Sequence, residues 1–206
     1  GAQLLRDLIA TADVVVESFR PGVTGRLGCD WDTLRVQHPE LVYCAITGYG
    51  QDGPLADRAG HDINYIARAG LLEQNGRPGG APVVPGFQVA DIAGGALYGA
   101  LGIVSALYGR ERTGEGSFVD VSMTEGALSF HAPLHVGMRR GDRPERGQGM
   151  LTGGLPSYAV YATKDGGHLA VGALEPKFWG GFLEALGLPE LAGEGMSSGA
   201  DGAQAR

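Results

Sequence analysis

Residues 30–47, DWDTLRVQHPELVYCAIT, decide the fold. Asp30 or Asp32 can cap a helix that runs through about His38, and Pro39 closes it. Leu41 to Thr47 then gives an apolar run with no polar alternation, the pattern of a strand covered on both faces. The same order occurs upstream in AQLLRDLIATADVVV, residues 2–16. Leu4, Leu5, Leu8 and Ile9 share one helical stripe over 2–11, and Ala12-Asp13 leads into Val14-Val15-Val16. Pro21-Gly22 turns the chain and Leu27-Gly28 ends a short helical piece. Helix followed by buried strand, repeated, argues for an α/β fold: a parallel sheet flanked by helices, Rossmann-like and incomplete. Ligands of such sheets sit beyond the carboxyl ends of the strands, here residues 17–23 and 48–54.

Further along, residues 73–86 are turn-like, and Asp91 precedes IAGGALYGALGIVSALYG, residues 92–109, which carry no charge. Eighteen such positions are the lower limit for a membrane-spanning helix. The interspersed glycines and the close flanks Asp91 and Arg110-Glu111-Arg112 favour instead a helix buried in a soluble core, with Gly94, Gly95, Gly99 and Gly102 allowing another backbone or a ligand to come close. Phe118–Met123 reads as a strand and Thr124–His135 as a helix. Residues 137–157, rich in Gly and Arg and containing Pro144, read as an exposed loop. A hairpin over 158–163 and 168–173 turns at Lys164-Asp165-Gly166-Gly167, and a helix follows from Pro176 to Leu186. The expected organisation is 1–121 as part of a large domain, 122–157 as a linker helix and loop, and 158–206 as the start of a small α+β domain with a disordered tail, SSGADGAQAR. The first helix and strand need earlier sheet partners, so the chain reads as part of a larger protein.

Composition narrows the function. A net charge of −7 with no run of Lys or Arg argues against a nucleic-acid or anionic membrane surface, while leaving room for a basic pocket for one small anion. Two cysteines, at 29 and 44, cannot build a disulfide framework and lie in apolar stretches, which fits buried thiols in a reducing, cytoplasmic compartment. Nothing at the start has the form of a signal peptide. The chain has no Walker loop, G-x-G-x-x-G fingerprint or CxxC pair. His131 and His135 make one i,i+4 pair without an HExxH pattern, so no metal site is expected.

Single residues carry weak signals. His61 titrates in the range that suits proton transfer, although a lone histidine is more often a structural hydrogen-bonder. Asp91 fits an ordinary N-cap, and the same placement at a helix start would let amides hold an oxyanion while the carboxylate exchanges a proton. Glu175 by itself reads as an exposed carboxylate at a helix start. Arg20 and Arg26 flank a strand end where an anion could be met, and surface solvation explains most arginines.

Five motifs in order add a resemblance: ESFRPGVTGRLG at 17–28, TGYGQDGP at 47–54, GHDINY at 60–65, ADIAGG at 90–95 and AVGALEPKFW at 170–179. Together the sequence resembles the family III CoA-transferase superfamily over residues 13–185, and GHDINY with the glutamate of GALEPKFW is similar to its alpha-methylacyl-CoA racemase branch. The resemblance implies 1,1-proton transfer at the carbon alpha to a thioester, through an enolate. His61 and Asp91 would be the two acid/base groups on opposite faces, and Glu175 the partner that orients His61. Arg20 and Arg26 would hold the CoA phosphates, Gly60 and Tyr65 would lie near the pantetheine or thioester, and the Asp91 amide would donate to the enolate oxygen. It further implies an acyl-CoA substrate, no separate cofactor because CoA belongs to the substrate, and an interlocked homodimer in which Glu175 reaches the His61 of the other chain. Two alternatives stand beside it: a CoA-transferase using Asp91 as nucleophile, and an inactive CoA-binding or assembly module.

Overall fold

The computed structural model describes residues 1–141 and 145–204. Pro144 of the expected loop, and Ala205 and Arg206 of the expected tail, lie outside the described residues. The chain divides into two units: residues 1–72 with 85–136, and residues 73–84 with 137–206.

The first unit starts with α1 (Ala2–Ile9), β1 (Val14–Glu17), α2 (Val23–Leu27), α3 (Trp31–Gln37) and β2 (Val42–Thr47). After a loop come α4 (Asp62–Arg68) and α5 (Leu71–Gln74), then a π-helical segment, Val89–Leu97, that continues into α6 (Tyr98–Thr113). β3 (Phe118–Ser122), α7 (Met123–Ser129) and α8 (Ala132–Arg139) follow. The three strands form one parallel sheet in the order β1-β2-β3, with Val14 opposite Val42 and Tyr43 opposite Phe118. Central β2 is the most deeply covered: Val42, Tyr43, Cys44 and Ala45 are all buried. A fully buried aliphatic side chain of this kind stabilises a fold by about 1.5–3 kcal/mol, so the unbroken apolar run here specifies the middle of the sheet. Trp31 of α3 stacks on Phe118 of β3, and both rings tilt against Tyr43, locking α3 over the sheet. Both cysteines are free and buried, and burial pushes both thiols up.

The helix expected over 124–135 is two helices, broken at Phe130 and His131. Two further corrections concern residues 89–113. Asp91 does not cap the helix: Gln88 holds that position in an extended conformation, and Asp91 stands in the first turn of the π-helical segment. The helix is not buried all round either, since Leu97, Leu101, Val104 and Tyr108 are each more than 60% exposed. Its packed face is made of glycines. A Cβ at Gly99 would lie 2.8 Å from Ile46 Cδ1, one at Gly102 would lie 2.6 Å from Val119 Cγ1, and one at Gly95 would lie 2.8 Å from Met123 Cγ. At Gly94 the neighbour is backbone, with Met123 O at 2.6 Å and Ala127 N at 2.8 Å. The expected close approaches thus occur at all four glycines. Because small residues occupy the inner face, the large apolar side chains point outward.

The second unit contains β4 (Tyr158–Ala162) and β5 (His168–Gly172), paired antiparallel as expected, then α9 (Pro176–Leu186), a 3₁₀ turn over Pro189–Glu194 and α10 (Gly199–Gln204). Pro176 begins α9 and left-handed Gly187 ends it. Its core gathers Ala173, Trp179 and Leu183, and Trp179 Nε1 donates to the Leu191 carbonyl at 3.1 Å. Residues 73–84 join this unit through Arg146, which donates from Nε to the Glu73 carbonyl at 2.8 Å and pairs with the Glu73 carboxylate at 2.6 Å. The tail expected to be disordered carries α10, with Gly202 buried.

These glycine contacts separate two substitutions on one helical run. Gly94→Ala must displace backbone and should cost about 1–3 kcal/mol, whereas Gly109→Ala, with no atom within 4 Å of the added Cβ, should gain a few tenths to about 1 kcal/mol from helix propensity. Urea unfolding midpoints of the two variants should therefore move in opposite directions.

Candidate active site

A cavity of about 680 Å³ opens beyond the carboxyl ends of β1, β2 and β3, where a parallel sheet places its ligands. Residues 18–21 after β1, Ile46, Thr47 and Gly48 at the end of β2, and Met123 after β3 form its floor. Arg58, Gly60, His61, Asn64 and Tyr65 come from the loop before α4 and from its first turn, and Asp91 from the π-helical segment.

His61 is the N-cap of α4, extended and exposed, with its backbone amide donating to Asn64 Oδ1 at 3.0 Å. That contact, with the Asn64 amide donating to the His61 carbonyl at 2.8 Å, fixes the backbone from which the imidazole leaves the chain. Tyr65, one turn on, is buried and donates from its hydroxyl to the Gly60 carbonyl at 2.7 Å, while its ring meets Tyr49 edge to face at 5.2 Å. Burial pushes the Tyr65 phenol up, with smaller contributions from Tyr49 and Asp91, so it stays a donor. A Cβ on Gly48 would come within 2.6 Å of Tyr65 Cζ, and one on Gly60 within 2.6 Å of Tyr65 Cε1. Both positions are glycine because the tyrosine ring lies against them.

Asp62 is buried, and its Oδ1 accepts from the Ala90 amide at 2.6 Å and the Asp91 amide at 3.0 Å. The Asp91 amide is therefore already engaged and is not the free oxyanion donor expected of it. Burial raises the Asp91 carboxyl above its usual value, the negative charge of Asp62 raises it further, and His61 opposes both. Thr47 Oγ1 is buried without a hydrogen-bond partner at the end of β2.

The structure brings Arg20, Gly60, His61, Tyr65 and Asp91 to one cavity. Arg26 stands in the last turn of α2, exposed and outside the cavity lining, with its guanidinium 3.7 Å from where a Cβ on Gly22 would be. Arg58 supplies a second cation at the rim instead. Glu175 belongs to the second unit, where it is exposed and N-caps α9, its carbonyl accepting from Phe178 and Trp179. Arg58, Asp62, Asn64 and Thr47 were not singled out by sequence reasoning. Asn64, three residues after a helix-start His61, was the most accessible signal, since that spacing marks a capping partner.

The comparisons with known proteins agree with this architecture. The model for CoA-transferase family III matches residues 1–206, and the chain belongs to that family. It is similar to human alpha-methylacyl-CoA racemase, at 43% identity over 91% of this chain and 50% of the relative. It is also similar to mouse succinyl-CoA:glutarate CoA-transferase, at 34% identity over 93% of this chain and 43% of the relative. The crystal structure of a CAIB/BAIF family protein from Brucella suis superposes with a TM-score of 0.78 at 32% identity, covering 98% of this chain and 53% of that one. The chain thus spans about half the length of the curated relatives it matches.

Tyr65 offers a direct check of the site's framework. Tyr65→Phe strips the Gly60 carbonyl of its donor and should cost about 0.5–1.5 kcal/mol, and Gly48→Ala, which forces the ring to move, should cost more. Chemical unfolding of both variants gives the order.

Proposed function

We propose that the protein carrying this chain is a 2-methylacyl-CoA racemase, moving the alpha-proton of the thioester through an enolate by two-base proton transfer. The observation that carries this reading is the placement of His61 and Asp91 on one cavity, from two different elements, with Asp91 raised toward neutrality. A proton acceptor works best when its pKa approaches the working pH, and burial of Asp91 moves it that way. One of the two groups removes the alpha-proton, the planar enolate forms, and the other returns a proton to the opposite face.

The enolate oxygen requires donors. With the Asp91 amide held by Asp62 and the Asn64 amide donating to the His61 carbonyl at 2.8 Å, the Asp62 and Ile63 amides at the start of α4, beside His61, are the donors we assign to the enolate oxygen. Arg20 and Arg58 at the rim suit the CoA phosphates, and Arg26, which stands outside the cavity lining, would meet CoA only beyond it. Glu175 would orient His61 across an interlocked homodimer, one chain's glutamate meeting the other chain's histidine. Hydrogen bonds suffice to stabilise an enolate, so the chemistry calls for neither metal nor redox cofactor. The relatives named for racemase activity are 42–43% identical to this chain, above the CoA-transferase relatives.

A second reading uses the same Asp91 as a nucleophile that attacks the thioester carbonyl, forming an acyl-aspartyl anhydride and releasing CoA thiolate, so that CoA is passed on to a second carboxylic acid as the first acid leaves. The CoA-transferases among the relatives favour it. It gives His61 no necessary role.

Incubation of the intact protein with one enantiomer of a 2-methylacyl-CoA in deuterium oxide separates the two. Racemisation with deuterium uptake at the alpha carbon is expected, and His61→Ala and Asp91→Asn should each slow it by about a hundredfold or more. In the direction where Asp91 is the base, the rate should fall as pH drops through a pKa above the usual carboxylate value, because only the ionised carboxylate accepts a proton. CoA transfer to a free acid with an unlabelled alpha carbon would establish the second reading. Tight CoA binding in calorimetry with neither reaction would mark a binding module.

A further inference from the structure

The carboxylate of Asp62 is buried, 8% exposed, makes no ion pair among the described residues, and spends one oxygen on two consecutive amides of another element. Burying an ionised group costs free energy unless hydrogen bonds compensate, so a residue of this kind is kept for what it holds. The two amides belong to Ala90 and Asp91, within the first turn of the π-helical segment, where helical N–H groups lack partners of their own. Asp62 itself is the first residue of α4, next to the N-cap His61. One side chain therefore links the residue beside the imidazole to the peptide of the opposite carboxylate. Ala90 is fully buried and Gly94 and Gly126 meet backbone to backbone, so the segment has no freedom to drift once those amides are held.

We propose that Asp62 is a positioning residue that ties the helix start presenting His61 to the segment presenting Asp91, and so sets the spacing of the two groups across the cavity. The proposal deepens the two-base reading and rests on it only where turnover is concerned. The charge of Asp62 also acts on Asp91, whose other charged and titratable surroundings are His61 and Tyr65 from α4 and Arg20 and Arg58 around the cavity. Glu125 of α7 lines a different depression.

Two variants separate geometry from charge. Asp62→Asn keeps an oxygen acceptor for both amides and removes the charge, whereas Asp62→Ala removes both. The first readout needs no activity: amide hydrogen exchange at Ala90 and Asp91, and carbon-13 titration of the Asp91 carboxyl, in the intact protein. In Asp62→Ala both amides should exchange about tenfold faster or more. In Asp62→Asn they should stay protected while Asp91 titrates at lower pH, since one of the causes that raise it is gone. Thermal unfolding of Asp62→Asn guards against a variant that merely fails to fold. Unchanged exchange at both amides in a folded Asp62→Ala would overturn the tie. The second readout is alpha-deuterium exchange on the CoA thioester. Asp62→Ala should lower kcat about tenfold or more with KM little changed, and Asp62→Asn should recover most of that loss. If the wild-type protein exchanges no alpha-proton, the two-base reading fails, while the amide and carboxyl measurements still decide the role of Asp62.

Discussion

The site depends on a carboxylate whose hydrogen bonds are spent inside the protein. Asp62 accepts from the Ala90 and Asp91 amides, which have no helical partners because a helical segment begins there, and in doing so it fixes the peptide between them. Its neighbours follow from that contact. His61 precedes it and is aimed by the Asn64 cap, and Asp91 follows the held peptide. The cost of burying a negative charge without a cation is offset by those two bonds, and that charge adds to the burial of Asp91 in raising the Asp91 carboxyl.

Around this contact the parallel sheet does ordinary work. β2 is buried by strands on both sides and by helices on both faces, and its last residues deliver Thr47 and Gly48 to the cavity floor. Gly48 and Gly60 leave room for the ring of Tyr65, and the Tyr65 hydroxyl in turn holds the Gly60 carbonyl, so the loop before His61 is fastened from below. Residues 50 and more positions apart in sequence converge here because three strand ends and two helix starts share one edge of the sheet.

Much of the architecture was legible from residue patterns. The Leu41–Thr47 run, preceded by an amphipathic helix, matches a covered central strand, whereas Val14–Val16, read as buried, forms a strand at the sheet edge with Val16 exposed; Pro176 with Gly187 bracketed α9. Local rules were less informative where tertiary contacts decide. Asp91 has the form of an N-cap, but the contact with Asp62, 29 residues away, lets the helix start earlier in a π-helical turn. Arg20 and Arg26 look alike in sequence, and the short turn of α2 carries one to the cavity and the other away from it. Arg58 sits in a segment with no periodicity to orient it. Glu175 was legible as a helix-start carboxylate, and any further role for it comes from resemblance alone.

The glycines of α6 invert the usual relation between greasiness and concealment. Anyone drawing residues 98–113 on a helical wheel and turning the oiliest arc toward the sheet would install the rod back to front, because the arc that meets Ile46 and Val119 is the bare one. Packing here is won by nearness of main chain rather than by bulk. Tolerance to change should be reversed along with it: Leu101 and Val104 have room for many replacements, and Gly99 and Gly102 have room for almost none.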